Sequence, residues 1–235
     1  MDSVKKHKKI AILQSNYIPW KGYFDLMRAV DEFIIYDEVQ YTKNDWRNRN
    51  IIKTINGPVW LSIPVNTSGK FKQRIIDAEI TDPKWAIKHW KTISMSYSRA
   101  NYFKIYKDIF EDLYLRSDDK YLSHINLKFI KVVCNILGIN TRITNSSDYS
   151  LSEGKNEKLV GICLQAGAAE YYSGPAACDY IDSNIFEKNG IKLKFVNYDG
   201  YREYNQLFPP FEHKVSIIDL IFNEGAEAAK YMKEL

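Results

Sequence analysis

Arg47, Arg49 and Lys53 share one parity in the short stretch Trp46-Arg47-Asn48-Arg49-Asn50-Ile51-Ile52-Lys53. On a β-strand, side chains alternate between faces, so the three cations would project together. Such a face suits a diphosphate or a carboxylate, because arginine forks hold these anions through paired hydrogen bonds. Asn48 and Asn50 are interleaved with them, and Asp37, Gln40 and Trp46 lie just upstream. A solvated strand face is the bland alternative for this charge pattern. The amides and the indole beside the cations favour a ligand.

A second cluster, Gln14, Asn16, Tyr17, Trp20 and Tyr23, offers amides and aromatic rings but no strong base. That combination reads a sugar or a nucleobase by stacking and directed hydrogen bonds. Simple loop packing competes with this reading, since Trp20 could plug the end of a sheet. No glycine-rich phosphate fingerprint is present, so neither a dinucleotide fold nor a P-loop is indicated.

For proton transfer the candidates are His213 and Asp37. His213 lies in Phe208-Pro209-Pro210-Phe211-Glu212-His213-Lys214, an irregular segment ahead of an apolar helix, where a general base is well placed. A capping or surface role is its alternative. Asp37 ends a strand. Ser173 and Gly174 end another, and backbone N–H groups there could hold an oxyanion. Gly154-Lys155 opens a helix that could meet an anion. No G-x-S-x-G elbow is present, which argues against a hydrolase triad. His89 and His124 fall within helical patterns without metal-ligand spacing, and no metal is indicated. Cys134 and Cys163 read as small buried hydrophobes; Cys178, after Gly174-Pro175, is the one thiol worth testing as a nucleophile.

These residues need elements to position them. Lys9 to Leu13 is an apolar run that predicts a strand buried on both faces. Pro19 pushes Ile18 out of helical geometry, and a helix follows over residues 23–30. Phe33 to Tyr36 is a second strand. This opening βαβ unit predicts an α/β fold: a mostly parallel Rossmann-like sheet with flanking helices and ligands at the carboxyl ends of its strands. A β-hairpin after strand 2 is expected to turn at Asn56-Gly57. Arg74 to Ile80 is a candidate strand. Residues 81–138 carry three helical patterns and form an inserted α-helical subdomain. Strands near 140–145, 170–173 and 191–196 alternate with helices, the last strand at an edge. A long aromatic and polar loop, 198–210, precedes the final apolar helix. The organisation expected is a flexible basic tail at 1–8, a first α/β half at 9–80, the insertion, and a second half with a C-terminal helix at 139–235, all in one structural unit.

A chain of 235 residues that is 45% hydrophobic has a real core, which excludes bulk disorder. The net charge of +4 is too balanced for a nucleic-acid protein. No apolar run reaches membrane-spanning length, and no secretory signal pattern opens the chain. A soluble cytoplasmic protein is expected. Seventeen tyrosines exceed what a core needs, so some should line a wet cleft.

The chain also resembles the WbqC-like protein family. The resemblance is carried by Gln14 with Asn16-Tyr17-Ile18-Pro19-Trp20-Lys21-Gly22-Tyr23-Phe24, and by Asp37-Glu38-Val39-Gln40-Tyr41. Asn48-Arg49-Asn50-Ile51-Ile52-Lys53, Trp60 to Val65, Tyr172-Ser173-Gly174, and His213 with Ser216 to Asn223 extend it over most of the chain. Ser15 departs from the pattern, which usually has proline there. The resemblance implies a place in bacterial surface-polysaccharide (O-antigen, lipopolysaccharide) sugar biosynthesis. Amino sugars of such pathways receive acyl or aminoacyl groups on nitrogen, so an amide-forming transferase acting on a nucleotide-linked amino sugar is the first expectation. His213 or Asp37 would be its base. The partner is a nucleotide-linked sugar or other small anionic substrate, with no nucleic acid and no membrane insertion; a homo-oligomer stays open. No cofactor is identified, and the activated acyl donor would be a co-substrate of unknown identity. The sheet layout also resembles nucleotidyltransferase and class I synthetase-like folds, but the His-x-Gly-His pattern is missing. An adenylating enzyme and a non-catalytic nucleotide-sugar-binding protein are the alternatives.

Overall fold

Burial on both faces explains why the first strand lies at the centre. In the structure, a computed structural model describing residues 7–235, β1 (Lys9–Leu13) pairs in parallel with β2 (Glu32–Ile35) on one side and β6 (Glu170–Ser173) on the other. β5 (Arg142–Asn145) and β7 (Lys192–Phe195) complete a five-stranded parallel sheet in the order β5-β2-β1-β6-β7. The strand order reverses between β1 and β6, and the crevice at such a reversal is where α/β sheets receive ligands.

Alternation along the strands divides two cores. Ile10, Ile12 and Ile34 pack with α5 (Lys155–Gln165) and α6 (Ser183–Lys188). Ala11, Phe33 and Ile35 pack on the opposite face with α1 (Lys21–Arg28). That second core runs on without a break into the insertion, formed by α2 (Trp85–Tyr97), α3 (Phe103–Leu115) and α4 (Leu122–Ile136), and into α7 (Ile217–Glu224). Phe103 and Phe110 of the insertion both meet the ring of Phe222 on α7, at 5.1 Å. The helical insertion therefore shares the main core. Among the described residues, no helix is long and apolar enough to cross a membrane.

The antiparallel hairpin after β2 is β3 (Arg49–Thr54) with β4 (Gly57–Ser62). Its two-residue turn is Ile55-Asn56, one position earlier than expected. Gly57 instead opens β4 at φ 98°, a conformation glycine adopts without a Cβ clash. Thr54 Oγ1 donates to the Gly57 carbonyl at 2.8 Å and holds this register. The expected strand at 74–80 is absent. Arg74 and Ile80 each make one isolated bridge, and the segment between them closes tight turns, with Asp77 N–H on the Arg74 carbonyl and an Arg74–Asp77 ion pair at 2.6 Å. Residues 1–6 of the expected tail lie outside the described residues. Lys8 is docked: its ammonium pairs with Glu32 at 2.7 Å and the Ala166 carbonyl at 2.6 Å.

One buried polar knot ties the insertion to the β1 exit. The Tyr17 hydroxyl bonds His89 Nδ1 at 2.8 Å and the Tyr114 hydroxyl at 2.6 Å. Burial lowers the His89 pKa from 6.5 to about 4, so the native state holds a neutral ring. Between these values the unfolded chain binds more protons, so stability from this group rises with pH there and is lost as pH falls through about 4. The loss is expected to reach about 2–3 kcal/mol. Urea midpoints of wild type and His89→Gln, measured from pH 7 to pH 4, should show a shallower acid decline in the variant.

Candidate functional site

The loops leaving β1 and β7, the segment entering β3, and the segment before α7 meet in a cleft of about 600 Å³ at the carboxyl ends of the strands. Asn16, Pro19 and Trp20 come from the β1 exit. The chain between β7 and α7 supplies Tyr198 to Tyr201 on one side and His213 and Lys214 on another. Trp46 and Asn50 close the hairpin side.

Backbone hydrogen bonds fix these walls. Tyr17 N–H donates to the Trp46 carbonyl at 3.0 Å. Asn50 Nδ2 donates to the carbonyls of Tyr17 at 3.0 Å and Ile18 at 2.9 Å. Together they hold Ile18 at φ 36°, a left-handed conformation that costs about 1–3 kcal/mol in a residue with a branched Cβ and clusters at ligand sites. Ile217 N–H on the Pro19 carbonyl and Ser216 N–H on the Ile51 carbonyl bind the start of α7 to the same loop and hairpin.

The cleft is aromatic. Trp20 meets Tyr198 and Tyr201 edge to face, at 5.0 and 5.6 Å. A Cβ at Gly22 would come within 2.4 Å of the Trp20 ring, so only glycine lets the indole lie over the start of α1. Tyr201 donates its hydroxyl to Asp25, a carboxyl whose pKa burial pushes up to about 6. Trp46 is half exposed and tilts against Trp60 at 5.4 Å. Against these rings stand the imidazole of His213, the carboxylate of Asp199 and the ammonium of Lys214. The Oδ1 atom of Asn16 is buried without a hydrogen-bond partner.

The structure brings together only part of what the residue chemistry suggested. Asn16, Trp20 and His213 line the cleft. Gln14 lies beside it and accepts from Arg47 at 2.9 Å, while Arg47 also pairs with Asp45 at 3.1 Å. The three cations do not share a surface. Arg47 precedes the strand, so strand parity does not govern it. Arg49 lies over the Trp60 ring at 4.2 Å. Lys53 is buried under the chain from 206 to 210, bonded to Gln206 Oε1 at 3.2 Å and to the Pro210 carbonyl. Tyr17 and Tyr23 point into the core rather than the cleft, and the Tyr23 hydroxyl donates to the Gln14 carbonyl at 3.1 Å. Asn48 is buried, with Nδ2 on the Ile63 carbonyl, and Gln40 holds the Phe71 carbonyl, both at 2.9 Å.

Asp37 is buried and already occupied. It accepts from Ser15 N–H at 2.8 Å, Ser15 Oγ at 2.7 Å and Ser123 Oγ. A proline at position 15 could make neither Ser15 bond. Asp37 thus anchors the β1 exit to α4 and does not line the cleft. Ser173 is buried behind the Tyr171 hydroxyl at 3.4 Å, and Gly174 starts the turn at Pro175; neither lines the cleft. Cys134 and Cys163 are buried, with thiols pushed up to about 12 by that burial, and Cys178 is exposed.

Asn50, one of the amides beside the cations, does line the cleft, while Tyr198, Asp199, Tyr201 and Lys214 were missed as site residues. The signal for most of them was the long connection after the last strand, since long structureless loops in compact domains commonly carry function.

In sequence, the chain is 49% identical over 226 residues to the uncharacterized protein Rv1507c of Mycobacterium tuberculosis, which covers 96% of this chain and 98% of that one. No solved structure matches the chain. The model of the WbqC-like proteins matches residues 14–231, which spans β2 to β7, the insertion and every wall of the cleft. The chain belongs to the WbqC-like protein family.

Proposed function

We propose that the protein is an enzyme of bacterial surface-polysaccharide sugar biosynthesis that transfers an acyl or aminoacyl group to the amine of a nucleotide-linked amino sugar. The observation that carries this reading is the cleft itself. It joins stacking surfaces at Trp20 and Trp46 to an imidazole at His213 and a carboxylate at Asp199. The indoles take the base or sugar faces. Asp199 attracts the ammonium of the acceptor, and His213 removes its proton. The freed amine adds to the acyl carbon of the activated donor. The added nitrogen gives up its second proton to solvent, and the donor's leaving group then departs with the electrons of the broken acyl bond.

Binding without catalysis is the second reading. It is favoured by one observation: among the described residues no protein group hydrogen-bonds the His213 ring, whose aromatic neighbour is Phe211 at 4.6 Å. A thermal-shift titration with nucleoside diphosphate amino sugars tests both readings. A ligand at about 100 times its Kd should add about 2.7 kcal/mol of stability. Amide product, detected by mass spectrometry after an activated acyl donor is supplied, supports the transferase. A shift without product under any donor supports the binding protein. No shift with any nucleotide sugar overturns both.

A further inference from the structure

The proposed substrate carries a diphosphate, and two of the cations expected to hold it are hydrogen-bonded or ion-paired elsewhere: Arg47 with Asp45 and Gln14, Lys53 with Gln206 and Pro210. Arg49 rests on the Trp60 ring of the hairpin, with its Nε buried and unpartnered. Lys21, at the start of α1, meets aromatic rings and likewise has no hydrogen-bond partner among the described residues. It is 4% exposed, and its Nζ is buried. The ammonium lies 4.4 Å from the centroid of the Tyr201 ring and 5.4 Å from that of Tyr204. Tyr201 also lines the cleft, as does Trp20, the residue before Lys21.

The carboxylates nearby, Asp25 and Asp219, favour the charged form of Lys21 through space, yet neither hydrogen-bonds it, and each accepts from other donors. Asp25 accepts from the Tyr201 hydroxyl and from Lys233 N–H. Asp219 accepts from the hydroxyls of Tyr97 and Tyr204 and from Gln206 and Asn223. What holds the ammonium is the faces of two phenol rings, a weaker partner than an anion. Leaving a buried donor unsatisfied costs free energy that a hydrogen-bonding anion would remove.

We propose that Lys21 is the cation that receives the diphosphate of the ligand, reached from the inner end of the cleft as the Tyr201 ring turns aside. This inference rests on the nucleotide-sugar reading for the ligand class, and on the placement of Lys21 for the site. The state of the free protein fits it. Burial lowers the Lys21 pKa from 10.5 to about 8 despite the nearby carboxylates of Asp25 and Asp219, and a bound diphosphate would raise it again.

The test uses inorganic pyrophosphate and calorimetry on wild type and Lys21→Met, with uridine as a phosphate-free control. Wild type is expected to bind pyrophosphate. Lys21→Met should lose about ten- to a hundred-fold in that affinity, and uridine affinity should be equal in the two proteins. Circular dichroism checks the fold of the variant, where an apolar chain of similar length replaces a buried charge. A second measurement needs no variant. Reductive methylation of wild type, read at the Lys21 peptide by mass spectrometry, should slow at least tenfold under saturating pyrophosphate.

Unchanged pyrophosphate affinity in Lys21→Met, no pyrophosphate binding by wild type, or unprotected Lys21 would each overturn the proposal. Its failure is distinguishable from failure of the function proposed above. Nucleotide sugars that bind wild type and Lys21→Met equally leave the ligand class standing and remove Lys21. Lys21-dependent pyrophosphate binding without any nucleotide-sugar binding supports the anion site and removes the sugar.

Discussion

Replacing His213 with alanine is expected to lower the rate of acyl transfer by about 10²–10⁴-fold, the usual contribution of a general base. Nucleotide-sugar affinity should stay within about twofold, because the stacking surfaces and the anion site lie on other elements. The imidazole sits on an irregular segment ahead of α7, and the exposed ring can approach a ligand in the cleft without disturbing the core. The decisive comparison is kcat against KM. A fall in kcat with KM unchanged is the signature of a group acting on the reacting atoms. Equal losses of binding and rate would make His213 a ligand contact only. A variant as active as wild type would remove it from the chemistry.

Asp37→Ala should be the most destabilising single change at the β1 exit. It strands Ser15 N–H, Ser15 Oγ and Ser123 Oγ, all buried donors. Hydrogen bonds to a charged group contribute about 1.5–3 kcal/mol each, and they are not fully additive, so a loss of about 3–5 kcal/mol is expected. For a chain of this size that lowers Tm by roughly 10 °C. The expected loss of ligand binding is then indirect, through slack in the loop that carries Asn16 and Trp20. Asp37→Asn keeps the shape and should cost less. If Asp37→Asn instead abolished turnover with Tm unchanged, Asp37 would have to act as the base.

Much of the fold was legible because it rests on local pattern. Four apolar residues in a row at Ile10 to Leu13 read as a strand covered on both faces, and the parallel sheet follows from the helices that alternate with such strands. Pro19, Asn56-Gly57 and Asp82-Pro83 marked the loop, the hairpin and the start of the insertion to within a residue or so. The strand expected at 74–80 failed because Asp77 offers the chain a local alternative, an ion pair and a turn in place of a ladder.

The site was less legible, since side-chain targets depend on contacts far away in sequence. Parity placed Arg49 and Lys53 on one strand face, but residues 206–210 fold over Lys53 and convert an expected anion ligand into a buried tie. Tyr17 is surrounded by aromatic neighbours in the cleft-forming loop's own stretch of sequence, yet it turns inward because His89 and Tyr114, 72 and 97 residues away, supply its hydrogen bonds. Lys21 gave a signal that only burial makes readable: a charge set among Trp20, Tyr23, Phe24, Leu26 and Met27, with no acidic residue within a helical turn except Asp25. Asp25 itself is held by Tyr201.

The central claim is that the cleft between Trp20, Trp46 and the Tyr198–Tyr201 segment receives a nucleotide-linked amino sugar. A crystal structure of the protein soaked with such a compound tests it most directly. The account predicts ligand density in that cleft, with a ring against Trp20 or Trp46, the amine near Asp199 and His213, and the diphosphate at Lys21. Density instead at Gln14, Arg47 and Ser173, with the aromatic cleft empty, would contradict it.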